Sequence, residues 1–317
     1  MQEKYHISSL DMRQNPLCNK GIEALAKAIE CSKSLVHIDL RSTAFRKEGA
    51  DKLFKALELN KSVTCLHIGN IKGLHRNLLV GPNIAGIERY LKTTELLTVL
   101  DLEGAGIGNE GLYYVSNGLK QTKSVKIVNL ACNNIDSEGS LLVLETLRSS
   151  AKHLNFSDNP LGNIFITEFE SSTREVPFYT TRLSLSSCNF LSPGVVPLFH
   201  ALQRGIALEY LALDNFKYNI RELTSLSSYL LKANALKTLN IMNCFFGDEE
   251  IKIIGEGFIT QSYLEVLNLS SNKIDNPGAK TLADKLTLLR RLKNLNVSNN
   301  SIKVSFNAKI RIKEDCN

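Results

Sequence analysis

The sequence predicts an α/β solenoid, curved, with parallel strands on the concave face, helices on the convex face and about eleven repeats of ~28 residues. The first observation behind this is a period. A strand-like apolar residue recurs at Leu10, Ile38, Leu66, Leu100, Val128, Leu154, Leu183, Leu211, Leu239, Leu267 and Leu295. The step is 28 residues, except for 34 after Leu66, 26 after Val128 and 29 after Leu154. The second observation is that each strand pattern is followed by a turn and then a helix pattern, as in "LEVLNLSSNKIDNPGAKTLADKL". Units of this size cannot bury their apolar faces alone, and stacking them makes one continuous core.

Each element has a local reason. Alternation such as Leu267 and Leu269 points one side of a short strand inward. Five positions after the central leucine stands Asn15, Thr43, Asn133, Asn159, Cys188, Cys244, Asn272 or Asn300, where a side chain can hold backbone groups as the chain turns. Ile71, Ala105 and Phe216 cannot do this, so those three turns are expected to be irregular. In "GIEALAKAIE", Ile22, Leu25, Ala26 and Ile29 have helical spacing. Ser192-Pro193, Asn276-Pro277 and Asp248 with Glu250 are start signals.

The repeat also interprets the literal GxGxxG at Gly106, Gly108 and Gly111, which could otherwise be taken for a dinucleotide fingerprint. Gly111 recurs as Gly21, Gly49, Gly139, Gly194 and Gly278, a helix-start residue. Gly106 and Gly108 are then loop glycines at a coincidental spacing, and no cofactor is expected.

These segments resemble leucine-rich repeats of the ribonuclease-inhibitor-like class, and the resemblance covers nearly the whole chain. It implies the strand and helix faces just described. It says little about function, because function lives in sites grafted onto a fold. Ran GTPase activators, tropomodulin and actin-capping regulators use arrays of this type. For the activator reading Arg46, in an early strand-to-helix loop, is the nearest candidate for an inserted arginine. That family's acidic C-terminal segment has no counterpart here, where the tail is basic.

Two repeats depart from the pattern. Repeat 3 carries six extra residues between strand and helix, an insertion placed around 72–83, with Lys72, His75 and Arg76 as candidate rim contacts. Repeat 6 carries "NIFITEFESSTREVPFY", read as an irregular outer segment around 162–180, in which Phe165, Ile166 and Phe169 can form a short helix face that Pro177 limits. No Pro-, Gly- or Ser-rich linker interrupts the array, so a single domain over 1–317 is expected.

Composition bounds the rest. The 317 residues are 43% hydrophobic and 22% charged, an ordinary globular balance. No long apolar run predicts a membrane span, and the N-terminus lacks an apolar signal core. Seven scattered cysteines without a CxxC predict reduced thiols and a cytoplasmic setting, with cytoskeletal association as one form of it. The net charge is +6, and residues 288–317 hold seven bases against two acids. That tail interleaves apolar residues with lysines and reads as a cap on the last repeat. Apart from Phe306 it lacks aromatics, so no specific nucleic-acid binding is expected. With no room for a cap before Ile7, either something else covers the ends or the array is part of a larger assembly or longer chain.

The residue after each central leucine should face solvent, and this row is acidic at its N-terminal end: Asp11, Asp39, His67, Asp101. Glu103 and Asp214 lie two residues further along their repeats. Lys237 stands in a charged row at the strand entry, and Tyr210 beside Asp214 is the aromatic anchor expected to touch a partner. His37 and His67 fall near Asp39 and Asp11, with too few converging ligands for a metal. No Ser-His-Asp or Cys-His arrangement emerges from the rows. The expected function is a non-enzymatic protein-binding scaffold in a cytoskeletal, axonemal or regulatory complex; the alternative is a GTPase activator of the Ran type.

Overall fold

The structure, a computed structural model, describes residues 6–71, 75–148, 150–175, 178–205, 208–260 and 263–303. Lys72, Pro177 and the basic tail beyond Lys303 lie outside the described residues. The chain divides into two compact units, Met1–Leu161 and Gly162–Asn317.

In the first unit the strands are β1 (Ser9–Asp11), β2 (His37–Asp39), β3 (Cys65–His67), β4 (Val99–Asp101), β5 (Ile127–Asn129) and β6 (His153–Asn155). Its helices are α1 (Cys18–Cys31), α2 (Lys47–Leu59), α3 (Gly86–Thr93), α4 (Gly108–Leu119) and α5 (Ser140–Leu147). Neighbouring strands pair in parallel with the central residues in register: Leu10 on Ile38, Ile38 on Leu66, Leu66 on Leu100. Ile38, Leu66 and Leu100 are fully buried, as are Leu40, Ile68 and Leu102 two residues on. Each such burial stabilises by about 1.5–3 kcal/mol.

The second unit begins with α6 (Gly162–Glu175) and continues through β7 (Arg182–Ser184), α7 (Val196–Leu202), β8 (Tyr210–Ala212), α8 (Ile220–Lys232), β9 (Thr238–Asn240), α9 (Asp248–Glu256), β10 (Val266–Asn268), α10 (Asn276–Leu286) and β11 (Asn294–Asn296). Its strands also pair in parallel and in register. Its core is aromatic: Phe190 lies 5.0 Å from Phe216, Phe216 5.7 Å from Tyr218, and Tyr218 5.6 Å from Phe246, centroid to centroid.

Three expectations are corrected. The segment around 162–180 is not irregular: α6 has 14 residues, as many as α1. Phe165, Ile166, Phe169 and Thr173 share its buried face, and Phe165 stacks on Phe169 at 5.5 Å. The turns at Ala105 and Phe216 keep the common backbone, because the preceding Gly104 and Asn215 take the same left-handed φ, +66° and +65°, as Cys132 at +57° and Ser271 at +57°. One of the helix-start signals acts elsewhere, whereas α9 does begin at Asp248, with Glu250 Oε2 accepting from Gly247 N–H (2.9 Å). Asp248 Oδ1 also accepts from the N–H of Gly278 (2.9 Å), steadying the next repeat's helix. Ser192-Pro193 lies in the turn ahead of α7, which has Pro197 in its own first turn.

Repeat 3 deviates in one place. Asn77, fully buried, takes over the duty that Ile71 cannot perform. Its Nδ2 donates to the carbonyls of Leu40 (2.8 Å), Ile68 (3.0 Å) and Gly69 (3.1 Å), and its Oδ1 accepts from the N–H of Thr43 (2.9 Å). Asn70 closes the base of the excursion, accepting from Asn77 N–H (2.7 Å) and donating to Asn77 O (3.0 Å). The inserted residues are therefore 71–76, a narrower span than the sequence suggested.

Candidate functional site

Side chains one residue before and one residue after each central leucine share the strand face. In the first unit that face carries a chain of ion pairs. Asp11 pairs with Arg13 (2.8 Å), Arg13 reaches Asp39 (3.4 Å), and Asp39 pairs with Arg41 (2.6 Å). Arg41 approaches Asp101 (3.6 Å), and Asp101 Oδ2 accepts from His67 Nδ1 (2.9 Å). His67 Nε2 lies 3.0 Å from Cys65 Sγ. The hydrogen bond to Asp101 and then the contact with Cys65 push the His67 pKa up to about 10, so the ring is an imidazolium at neutral pH. Burial raises the Asp101 pKa, but His67 and the Glu103 N–H outweigh it and the net shift is downward.

This corrects two readings. The face is not a bare acidic patch: three carboxylates are matched by two guanidinium groups and one imidazolium, and Asp101 is only 6% exposed. A Cys-His-Asp arrangement does exist, in Cys65, His67 and Asp101. His67 stands between Asp39 and Asp101 in register, not beside Asp11. Among the described residues no cluster of three or more His, Cys, Asp or Glu side chains is arranged to hold a metal.

The acidic and amide residues of this row also have a structural task. Oδ1 of Asp11, Asp39, Asp101, Asn129, Asn155, Asn268 and Asn296 accepts from the N–H two residues ahead at 3.0–3.2 Å. Such local bonds favour Asp and Asn on conformational grounds alone. Repeat 8 has Ala212 at this position and borrows from its neighbours. Ser186 Oγ accepts from Asp214 N–H (3.0 Å), and Asp214 Oδ1 accepts from Met242 N–H (2.7 Å). Asp214, whose pKa burial pushes up, is thus engaged within the fold.

Relieved of that task, Asn240 donates through Nδ2 to Tyr210 Oη (3.0 Å). The Arg182 guanidinium lies 4.4 Å from the Tyr210 ring centroid. Tyr210 is thereby fixed on the strand face, half-buried. Lys237 is held by Glu209 (3.0 Å). Glu103, exposed, accepts from Asn129 Nδ2 (2.9 Å). At the rim, His75 and Arg76 are exposed; Arg76 Nη2 donates to Gly104 O (3.2 Å), and His75 O accepts from Ala44 N–H (2.8 Å). Arg46 is exposed at the start of α2, its N–H held by Asn19 Oδ1 (2.8 Å).

Amides of the glycine motif are engaged within the fold. The N–H groups of Gly106 and Ile107 both donate to Asn133 Oδ1 (2.9 and 3.3 Å), and that of Gly108 to Asn133 O (2.9 Å). Sequence reasoning passed over Arg13, Arg41, Cys65 and Arg182. All four lie on the strand-face rows or just beyond them, so reading across adjacent repeats, not along one, would have found them.

A leucine-rich repeat family model matches residues 95–116, 123–140 and 260–283. The ribonuclease inhibitor of Sus scrofa is 28% identical over 211 residues, 65% of this chain and 46% of that protein. These matches support a leucine-rich repeat protein of the ribonuclease-inhibitor-like class. "NACHT, LRR and PYD domains-containing protein 14" of Homo sapiens is 29% identical over 196 residues, 58% of this chain and 17% of that one. This leucine-rich repeat chain thus spans less than half the length of these curated relatives. Among solved structures, the leucine-rich repeat-containing protein LegL7 from Legionella pneumophila matches at TM-score 0.54 and 16% identity, over 92% of each chain. It supports the α/β repeat fold alone.

Proposed function

We propose that this leucine-rich repeat protein is a non-enzymatic scaffold that binds a protein partner through its strand face and the adjoining rim at His75 and Arg76. The observation that carries this reading is Tyr210, held between Arg182 and Asn240 and still partly exposed to solvent. A rigid aromatic beside an arginine is the typical anchor of an interface, because little side-chain entropy remains to be lost on binding. The paired charges of the first unit are likewise held in place, which favours specificity over raw affinity. Relatives named as ribonuclease inhibitors support a macromolecular partner. The seven scattered cysteines support a reducing, cytoplasmic setting, and among the described residues no helix is long and apolar enough to cross a membrane.

Affinity capture from a cell extract with quantitative mass spectrometry tests this. Tyr210→Ala and Arg182→Ala should each lower recovery of the captured protein by roughly tenfold or more. Tyr113→Ala and Leu141→Ala, exposed on α4 and α5, should leave it unchanged. The reverse pattern would place the binding surface on the helices. The captured protein's identity decides between a cytoskeletal, axonemal or regulatory complex.

A further inference from the structure

The strand face of the first unit holds a nucleophile in an unusual setting. Cys65 and His67 stand two residues apart on β3, so their side chains lie on the same face. Sγ is 3.0 Å from Nε2, and Nδ1 is 2.9 Å from Asp101 Oδ2. Arg41 steadies Asp101 from the other side, at 3.6 Å. With His67 protonated, its Nε2–H donates to sulfur and its Nδ1–H to the carboxylate. An imidazolium N–H aimed at sulfur stabilises the anion through which thiols attack. Cys65 is 6% exposed, and its register neighbours on the face are His37, which is exposed, and Val99. Burial of the sulfur favours a small reagent over a bulky one.

We propose that Cys65, His67 and Asp101 form a reactive-thiol site whose reagents are small hydroperoxides. Sulfur attacks the terminal peroxide oxygen, an S–O bond forms and the O–O bond breaks. Cys65 becomes a sulfenic acid, oxidised by two electrons, and the hydroperoxide is reduced. The departing oxygen anion takes the proton from His67 Nε2 and leaves as an alcohol, or as water when the reagent is hydrogen peroxide. Asp101 is a positioning residue, acting on sulfur only through the ring. Oxidation alters the sulfur that His67 Nε2 contacts at the end of the ion-pair chain. The proposal needs no bound partner and stands apart from the scaffold reading.

The intact protein is exposed to hydrogen peroxide, quenched and denatured. Surviving thiols are then alkylated with iodoacetamide and quantified peptide by peptide. Cys18 and Cys31, exposed, serve as internal references. At neutral pH the Cys65 thiol should be lost at least tenfold faster than either, and loss at or below their rates would overturn the proposal. The comparison with Cys18 and Cys31 needs no variant and decides the proposal even if variants fail to fold. His67→Gln and Asp101→Asn should each slow the reaction at least tenfold, and Asp101→Glu should recover most of that loss. An unchanged rate in a folded His67→Gln protein would also overturn it.

Discussion

Asn133 shows how much a single ladder side chain carries. It donates to the carbonyls of Leu102 (2.9 Å) and Ala131 (3.0 Å) and accepts from two amides of the next-door turn. Asn133→Ala leaves these buried groups unpaired, and each orphan costs about 1–3 kcal/mol. The expected loss is about 3 kcal/mol or more, measured by urea unfolding. Leu239, fully buried, should cost about 2–5 kcal/mol on truncation to Ala, through lost transfer energy and a cavity. Gly106→Ala should cost only about 1–2 kcal/mol, because φ is +72° there and no atom lies within 3.4 Å of an added Cβ. His67 gives a pH signature. Its pKa is raised to about 10 in the fold, so its contribution is complete below its unfolded value near 6.5. That contribution is lost as pH rises toward 10, and His67→Gln should flatten the thermal stability profile over that window. The lowered Asp101 pKa acts oppositely, its contribution fading as pH falls through the acid range.

At the scale of elements, the strands and helices were legible because their periods are enforced by burial. Ile22, Leu25, Ala26 and Ile29 mark α1 in the sequence, and three of the four are buried in the structure. The six-residue excess of repeat 3 was legible as a length but not as a place. Asn77 is five positions after the central leucine only once residues 71–76 are set aside, and a fixed alignment puts Ile71 there instead. Deleting 71–76 should therefore join Asn70 to Asn77 in the standard register and change stability by less than about 1 kcal/mol, since loop length costs little. Asn77→Ala should be far more damaging than removing six whole residues. Equal or greater loss from the deletion, measured by the same unfolding, would show that the excursion is part of the core. In segment 162–180 the helix face Phe165, Ile166 and Phe169 was legible, but not that it belongs to a regular helix of 14 residues, which the Phe165–Phe169 stack supports.

At the scale of the molecule, the residues bearing function were the least legible. A single repeat shows the Asp39–Arg41 pair but not Arg41–Asp101 or His67–Asp101, whose partners stand 60 and 34 residues apart. The same holds for Tyr210, whose clamp comes from the repeats on either side. The rows predicted exposed acids, and stacking turned them into fixed ion pairs. What remains available to a partner is a rigid strand face with an aromatic at its centre in the second unit. The central claim is that this face is where the protein partner docks. Hydroxyl-radical footprinting of the captured complex against the free chain tests it most directly. Modification of Tyr210 should fall several-fold on binding, while Tyr113, Leu141 and Leu288 on or beside the helices stay equally reactive. Protection of Tyr113, Leu141 or Leu288 with Tyr210 unchanged would contradict the account.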